Sequence, residues 1–396
     1  MTKEEQVIDL CRKLVSCPSV SGEEKQVAET LASAMRELGY DQVTIDRYGN
    51  VIGRLQGSSP GPRILFDGHI DTVPVSEPSK WTHDPYRGEI QDGRMYGRGT
   101  SDMKGAVAAI TVAAARFAKE RKGDFPGELY VAGVVCEEIF EGVSARAISE
   151  AVEPDYVVIG EATQLNLKIG QRGRAELVVE TVGKPAHSAN PEKGINAVGK
   201  MLPVLTEIGR LPPTHQEGLG DGILVLTDII SQPYPGASVV PERCIATFDR
   251  RLLVGETPEG VLEPIQKLLD DMMQRDPELQ ARVYLRTGSI HCYTGEAMEA
   301  QRFFPGWKFD EDAPFVQAVY QALCQQPHQP QITNYSFCTN GSHYAGEKGI
   351  ATIGYGPSYE NLAHTVDEYI DLEQLTSAVS GYQAIIQALV SNGSNP

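Results

Sequence analysis

The 396-residue chain carries 35 Lys and Arg against 53 Asp and Glu, a net charge of −18, with 41% hydrophobic and 22% charged residues. That length exceeds what one hydrophobic core usually fills, so two domains are expected, and the ordinary apolar content argues against long disorder. The acidic balance argues against nucleic acid and anionic membrane as partners. Seven cysteines, odd in number, scattered and without CxxC spacing, read as reduced thiols rather than a disulfide frame or a thiolate metal site. The chain opens on a Lys/Glu-rich helix and contains no run of about 18 apolar residues, so a cytoplasmic protein without a membrane span is expected.

In chain order, Thr2-Lys-Glu-Glu5 and Ser21-Gly-Glu-Glu24 fit the capping box, which predicts helices over 3–15 and 23–38, the second stopped by Gly39. Gln42–Tyr48 and Val51–Gln56, joined through Gly49-Asn50, read as a hairpin. A short apolar run, Arg63–Gly68, delivers His69-Ile-Asp71, and Gly97–Gly105 leads into an Ala-rich helix over 105–120. The strand Glu128–Cys136 ends in two adjacent carboxylates, Glu137 and Glu138. A helix near 144–150 and a strand over 155–160 ending at Glu161 follow. Strand alternating with helix predicts an α/β fold with a mainly parallel sheet flanked by helices. Such sheets place their sites beyond the carboxyl ends of the strands.

From about Arg174 the rhythm changes to β-α-β-β-α-β, with strands at 175–182, 223–231, 244–253 and 281–286 and helices at 195–209 and 257–274. This predicts an inserted ferredoxin-like α+β domain over 174–288, with 1–173 and 289–396 forming the larger domain. The larger domain resumes with a helix over 315–325, a strand over 350–355, a loop carrying His364, and a last helix whose apolar Leu372, Leu375, Val379, Tyr382, Ile386 and Leu389 recur at helical spacing.

Taken singly, a Glu pair at a strand end or a lone His is ordinary; the conjunction is informative. Two carboxylates side by side at the end of a buried strand need a positive partner. Ligand-type residues stand in Gly68-His-Ile-Asp71, Gly99-Thr-Ser-Asp102, Cys136-Glu-Glu138, Gly160-Glu161 and Ala363-His364, each at a strand end or in a Gly-flanked loop. Two imidazoles and three carboxylates without a thiolate suit zinc, or manganese or cobalt in its place. Five groups are too many for one open catalytic ion and fit two ions sharing one carboxylate. Such a pair can bind a hydroxide and polarise a carbonyl, leaving the remaining Glu as general base.

These blocks, together with Gly97-Arg-Gly-Thr-Ser-Asp-Met-Lys-Gly105, Gly160-Glu-Ala162 and Ala363-His-Thr365, resemble in order the signature blocks of a two-zinc hydrolase family. It includes acetylornithine deacetylase, succinyl-diaminopimelate desuccinylase, aminoacylase and carboxypeptidase G. Gly170-Gln-Arg-Gly-Arg174, Phe303-Phe-Pro-Gly-Trp-Lys308 and Thr339-Asn-Gly341 are most similar to the selenium-metabolism-associated hydrolase branch. The resemblance implies that His69, Asp102 and Glu161 hold one zinc and Asp102, Glu138 and His364 the other, with Glu137 as general base. It implies that Asp71 accepts a hydrogen bond from His69 and that the Asp102–Met103 peptide is cis. It further implies that His187, in Gly183-Lys-Pro-Ala-His-Ser188, stabilises the oxyanion in a neighbouring subunit, that the protein is a homodimer through the inserted lid domain, and that Arg250 holds the substrate carboxylate. Arg251 is its equal rival. Where relatives often carry Gly-Gly, this chain has Thr339-Asn340-Gly341-Ser342, a departure at the family's usual carboxylate pocket, and Asn340 is the candidate substrate contact in that loop. The implied reaction is hydrolysis of a small N-acyl amino acid or similar linear amide by a zinc-bridged hydroxide. The alternatives are a di- or tripeptidase or carboxypeptidase with the same metals, and a non-catalytic metal-dependent scaffold, against which the retention of Glu137 argues.

Overall fold

The computed structural model describes residues 2–392 and divides into two compact units. The first runs to Gln171 and takes in Ser289–Glu299 and the chain from Lys308 on; the second is Arg172–Gly288 with Ala300–Trp307.

In the first unit, α1 (Lys3–Val15) starts at a complete capping box: Thr2 accepts from the Glu5 amide, and the Glu5 carboxylate accepts from Thr2 N at 2.8 Å. The second expected box does not form. Helix α2 (Lys25–Leu38) follows Glu24 without a side-chain cap, and the Ser21 hydroxyl instead donates to Asp71 Oδ2 at 2.7 Å. Gly39 closes α2 in the left-handed region at φ 88°, a conformation that costs glycine nothing. Strands β1 (Gln42–Ile45) and β2 (Val51–Gln56) pair antiparallel as a hairpin. Its turn is held by Asp46 Oδ1, which accepts from the amides of Tyr48, Gly49 and Asn50. Then come β3 (Ser59–His69), α3 (Gly105–Glu120), β4 (Pro126–Val134), α4 (Ala145–Val152), β5 (Tyr156–Ile159) and β6 (Leu167–Gln171).

The second unit contributes β7 (Gly173–Val182), α5 (Ala197–Ile208), β8 (Ile223–Gln232), β9 (Arg243–Leu252), α6 (Pro258–Arg275) and β10 (Gln280–Leu285). Its sheet runs β8-β9-β7-β10 with antiparallel neighbours throughout, the ferredoxin-like order. Helices α5 and α6 bury Met201, Val204, Ile265 and Leu269 against Leu177, Val179, Ala246 and Phe248 of the strands. Because side chains alternate along a strand, the intervening residues face the other way and carry ion pairs such as Arg174–Asp249 and Arg302–Glu176. The two-residue strand Phe303–Phe304 joins the same sheet on β7, which brings the segment from Ala300 to Trp307 into this unit.

Back in the first unit come α7 (Pro314–Cys324), β11 (Ala351–Gly354) and α8 (Leu372–Asn392), and seven of the nine strands of its sheet run in the order β1-β2-β4-β3-β5-β11-β6, with Ile332–Tyr335 also pairing β6. Its centre, β4-β3-β5-β11, is parallel; the hairpin and β6 attach antiparallel. Helix α3 is buried along most of its length because alanines dominate it, and it packs against α1 and α8. Ala145, Ile148 and Val152 of α4 cover Leu65, Val134 and Val157 of the strands. No helix among the described residues is long and apolar enough to cross a membrane.

Candidate metal centre

Parallel register brings three strand ends to one edge. Gly68 and His69 of β3 lie opposite Gly133 and Val134 of β4, and Asp67 lies opposite Ile159 of β5. His69 therefore closes β3, the Glu137–Glu138 pair follows β4 by three residues, and Glu161 follows β5 by two. The loop before α3 adds Asp102, whose peptide to Met103 is cis, and the loop after β11 adds His364.

These side chains converge. His69 Nε2 is 2.8 Å from Asp102 Oδ1 and 3.4 Å from Glu161 Oε1. His364 Nε2 is 3.2 Å from Asp102 Oδ2 and 3.0 Å from Glu138 Oε2. Asp102 thus stands between the two histidines, one oxygen to each. Ligand-type atoms of His69, Asp102 and Glu138 lie within 4.8 Å of one another, as do those of His69, Glu137 and Glu161. Two backbone positions at the centre are left-handed although neither residue is glycine, Cys136 at φ 59° and His364 at φ 63°. Such conformations cost on the order of 1–3 kcal/mol each and persist where the surroundings over-determine them.

The electrostatics are those of an anionic cluster seeking positive charge. Burial, with Glu161, Glu141 and Glu138 nearby, pushes the Glu137 carboxyl well above its ordinary range. Burial and then the Asp102 charge raise Glu138 to about 7, and the same two causes raise Glu161. On His69 burial opposes protonation, but Asp102, Asp71 and Glu161 outweigh it and raise the ring well above its usual value. Hydrogen bonds to Asp102 and Glu138 raise His364 to about 10. Glu137 Oε1 is buried without a hydrogen-bond partner among the described residues. An all-N/O donor set of two imidazoles and several crowded carboxylates, with an orphaned carboxylate oxygen among them, fits divalent cations of the zinc, cobalt or manganese kind.

Other groups act from behind. The Asp71 carboxylate accepts from the amides of Glu137 (3.1 Å) and Glu138 (3.2 Å). The hydrogen bond on His69 Nδ1 goes to the Asp71 backbone carbonyl at 2.9 Å, with the carboxylate at 3.6 Å. The expected orientation of the ring by Asp71 is therefore made through the main chain, because the carboxylate is taken by the two amides. Glu368, paired with Arg98 at 2.6 Å, accepts from the amides of Ser101 and Asp102. Asn340 is buried with both ends of its amide used inside the protein: Oδ1 accepts from Gly142 N at 2.8 Å, and Nδ2 donates to Asp67 Oδ1 at 2.9 Å. Tyr344 donates to the other Asp67 oxygen at 2.9 Å. The amide that would meet substrate is thus already satisfied, which makes Asn340 a brace for the loop after Glu138.

In the second unit, His187 is exposed and its Nδ1 accepts from Ala189 N at 3.0 Å. In the neutral ring this leaves the proton on Nε2. Arg250 lies on the helix side of β9, opposite Ala175 of β7. It is ion-paired with Glu256 and hydrogen-bonded to Thr214 at 3.2 Å. Arg251, on the other face, pairs with Asp249 at 2.9 Å. Sequence reading missed Glu24, Asn50, Asp67 and Glu368. They act on backbone amides or side chains remote in sequence, and the only local signal was a Ser21–Glu24 pattern read as a helix cap.

The sequence profile of peptidase family M20/M25/M40 matches residues 65–388. The chain belongs to that family. It is 35% identical to the YgeY protein of Escherichia coli K12 over 94% of this chain and 92% of that protein. It is 28% identical to succinyl-diaminopimelate desuccinylase 2 of Ruegeria sp. strain TM1040, over 96% and 94% of the two chains. Among solved structures, aminopeptidase PepT of Bacillus cereus superposes with a TM-score of 0.72 at 21% identity, covering 98% of each chain. The M20/M25/M40 fold, the family membership and the converging side chains make the protein a hydrolase of amide bonds.

Proposed function

We propose that the protein is a cytoplasmic two-metal amidohydrolase that cleaves a small N-acyl amino acid or similar linear amide. The observation that carries this is the placement of Asp102 between His69 and His364, with Glu137, Glu138 and Glu161 in the same buried cluster. His69, Asp102 and Glu161 would hold one ion and Asp102, Glu138 and His364 the other. Zinc is the expected metal, with cobalt or manganese as substitutes. Two such ions, when bound, supply Lewis acidity for the scissile carbonyl and make an attacking water more acidic. Glu137 Oε1, which has no hydrogen-bond partner among the described residues, takes the proton from that water and passes it to the leaving amine nitrogen. Asp71 fixes the backbone that carries Glu137 and Glu138, and its carbonyl holds the His69 ring. His187 Nε2 is assigned to the tetrahedral oxyanion in the site of a neighbouring subunit.

Edge strand β8 supports a homodimer through the second unit. It exposes Ile223, Val225, Leu226, Ile229 and Ile230 and pairs with β9 alone among the described strands of its sheet. A long apolar edge of this kind invites another chain, and a second copy is the occupant we assign. Arg250 and Arg251 remain the two candidates for the substrate carboxylate, each of which would exchange its present acidic partner for it.

The likeness to a desuccinylase over the whole chain favours an acylated amine as substrate. The likeness to an aminopeptidase supports a second reading, a small peptidase with the same site. A hydrolysis screen of the zinc-loaded protein over N-acetyl, N-succinyl and N-carbamoyl amino acids and dipeptides separates the two. Turnover of acylated amino acids in preference to dipeptides is expected, and the reverse preference selects the peptidase.

A further inference from the structure

Beyond β4 four consecutive backbone amides are received by side chains rather than by a strand or helix. Val135 N donates to Asn50 Oδ1 at 3.0 Å, Cys136 N to Glu24 Oε1 at 3.1 Å, and Glu137 N and Glu138 N to the two oxygens of Asp71. The chain at Cys136 is left-handed at φ 59°, a conformation that side chains of L residues rarely adopt, so something must hold it. Glu24 is suited to that task. It is wholly buried, and the same Oε1 also accepts from Gly22 N at 2.9 Å and from the Cys136 thiol at 3.4 Å, while Oε2 has no partner among the described residues. An acidic side chain this deeply buried is costly unless hydrogen bonds satisfy it, and here three donors converge on one oxygen. Asn50 is equally committed. Ser144 Oγ donates to its Oδ1 at 2.7 Å, and its Nδ2 donates to Asp46 Oδ2 at 2.7 Å. The hairpin turn and the start of α2 are thereby tied to one point, the bend immediately before Glu137.

We propose that Glu24 and Asn50 are positioning residues for the reaction: they lock the left-handed bend at Cys136 and so aim the Glu137 carboxylate. This rests on the assignment of Glu137 as the proton carrier. Neither side chain needs to touch substrate, and their effect reaches the chemistry through the main chain. A displacement of about 1 Å in a reacting group can lower a rate by as much as 10²-fold, so a bend released by one hydrogen bond should show in turnover.

The test uses the full-length zinc-loaded protein and Glu24→Ala, Glu24→Gln and Asn50→Ala. The readouts are kcat and KM on the best substrate of the amide panel, zinc content by mass spectrometry, and amide hydrogen exchange of the peptide spanning 133–142. Glu24→Ala and Asn50→Ala are expected to lose roughly 10- to 100-fold in kcat with KM within about twofold. Zinc content should stay at the wild-type value, with faster exchange in that peptide. Glu24→Gln keeps an oxygen acceptor for Cys136 N and should recover most of the kcat. Should Glu24→Ala not fold, Glu24→Gln against Asn50→Ala decides by the same readouts. The proposal is overturned by unchanged exchange, by full kcat in the alanine variants, by a kcat loss that merely tracks zinc loss, or by Glu24→Gln behaving like Glu24→Ala. A wild-type protein that turns over nothing would sink the functional reading and the positioning role together, whereas unchanged exchange in active variants sinks the positioning role alone.

Discussion

Replacing Glu137 by Gln isolates the proton-transfer role from metal binding. The substitution keeps the shape of the side chain and removes its basicity. It also replaces a buried carboxylate crowded by Glu161, Glu141 and Glu138 with a neutral amide. Positioned acid–base groups contribute about 10²- to 10⁴-fold, equivalent to roughly 3–5 kcal/mol of barrier. A kcat loss in that range is expected. Two imidazoles and three carboxylates remain in Glu137→Gln, so its metal content should stay at two per chain. The assays are turnover on the best panel substrate and metal analysis on the same preparation. Turnover within about threefold of wild type would refute the role, since general-base loss costs far more. Metal content below two per chain would instead make Glu137 a ligand, a possibility left by its place beside His69 and Glu161.

Asn340→Ala leaves Asp67 Oδ1 and Gly142 N without their partner, so unfolding in denaturant should show a loss of about 3 kcal/mol; unchanged stability with a large rise in KM would make Asn340 a substrate contact instead. For Glu347, burial alone would raise the carboxyl, but hydrogen bonds from His343 and Arg146 outweigh it and bring it from 4.5 down to about 2. A depressed acid stabilises the fold above its unfolded value and loses that contribution as pH falls through its folded value. Because Glu347 is exposed, solvent screens much of this, and the stability difference between wild type and Glu347→Gln should be on the order of 1 kcal/mol at pH 5 and shrink toward pH 2; a difference that grows on acidification contradicts this. Ile229→Lys on the exposed edge of β8 should convert a dimer to a monomer in sedimentation velocity, and an unaltered dimer would put the interface elsewhere.

Both the α/β class and the inserted ferredoxin-like unit were legible because period-2 and period-3.6 patterns switch cleanly at element boundaries. Of the six converging side chains, His69, Glu137, Glu138 and Glu161 were legible at or just past strand ends, where a parallel sheet collects them, and Asp102 and His364 in loops. What acts from behind was not. Glu24 sits in Ser21-Gly-Glu-Glu24, a pattern equally suited to capping α2, and only the fold shows Ser21 bonded to Asp71 and Glu24 to Cys136 N. Nothing local distinguishes a Glu that holds a remote amide from one that caps a helix. Arg250 and Arg251 are adjacent on one strand, so period 2 puts them on opposite faces, but only packing reveals that Arg250 joins Glu256 on the helix side. Phe303–Phe304 lies outside the expected inserted range, and its pairing with β7 needs contacts across more than a hundred residues.

Anomalous diffraction at the zinc edge from zinc-loaded crystals would locate the ions between the converging side chains. Two peaks about 3.5–4 Å apart are expected, one beside His69, Asp102 and Glu161 and the other beside Asp102, Glu138 and His364. A single peak, or two peaks that do not share Asp102, would contradict the two-metal assignment.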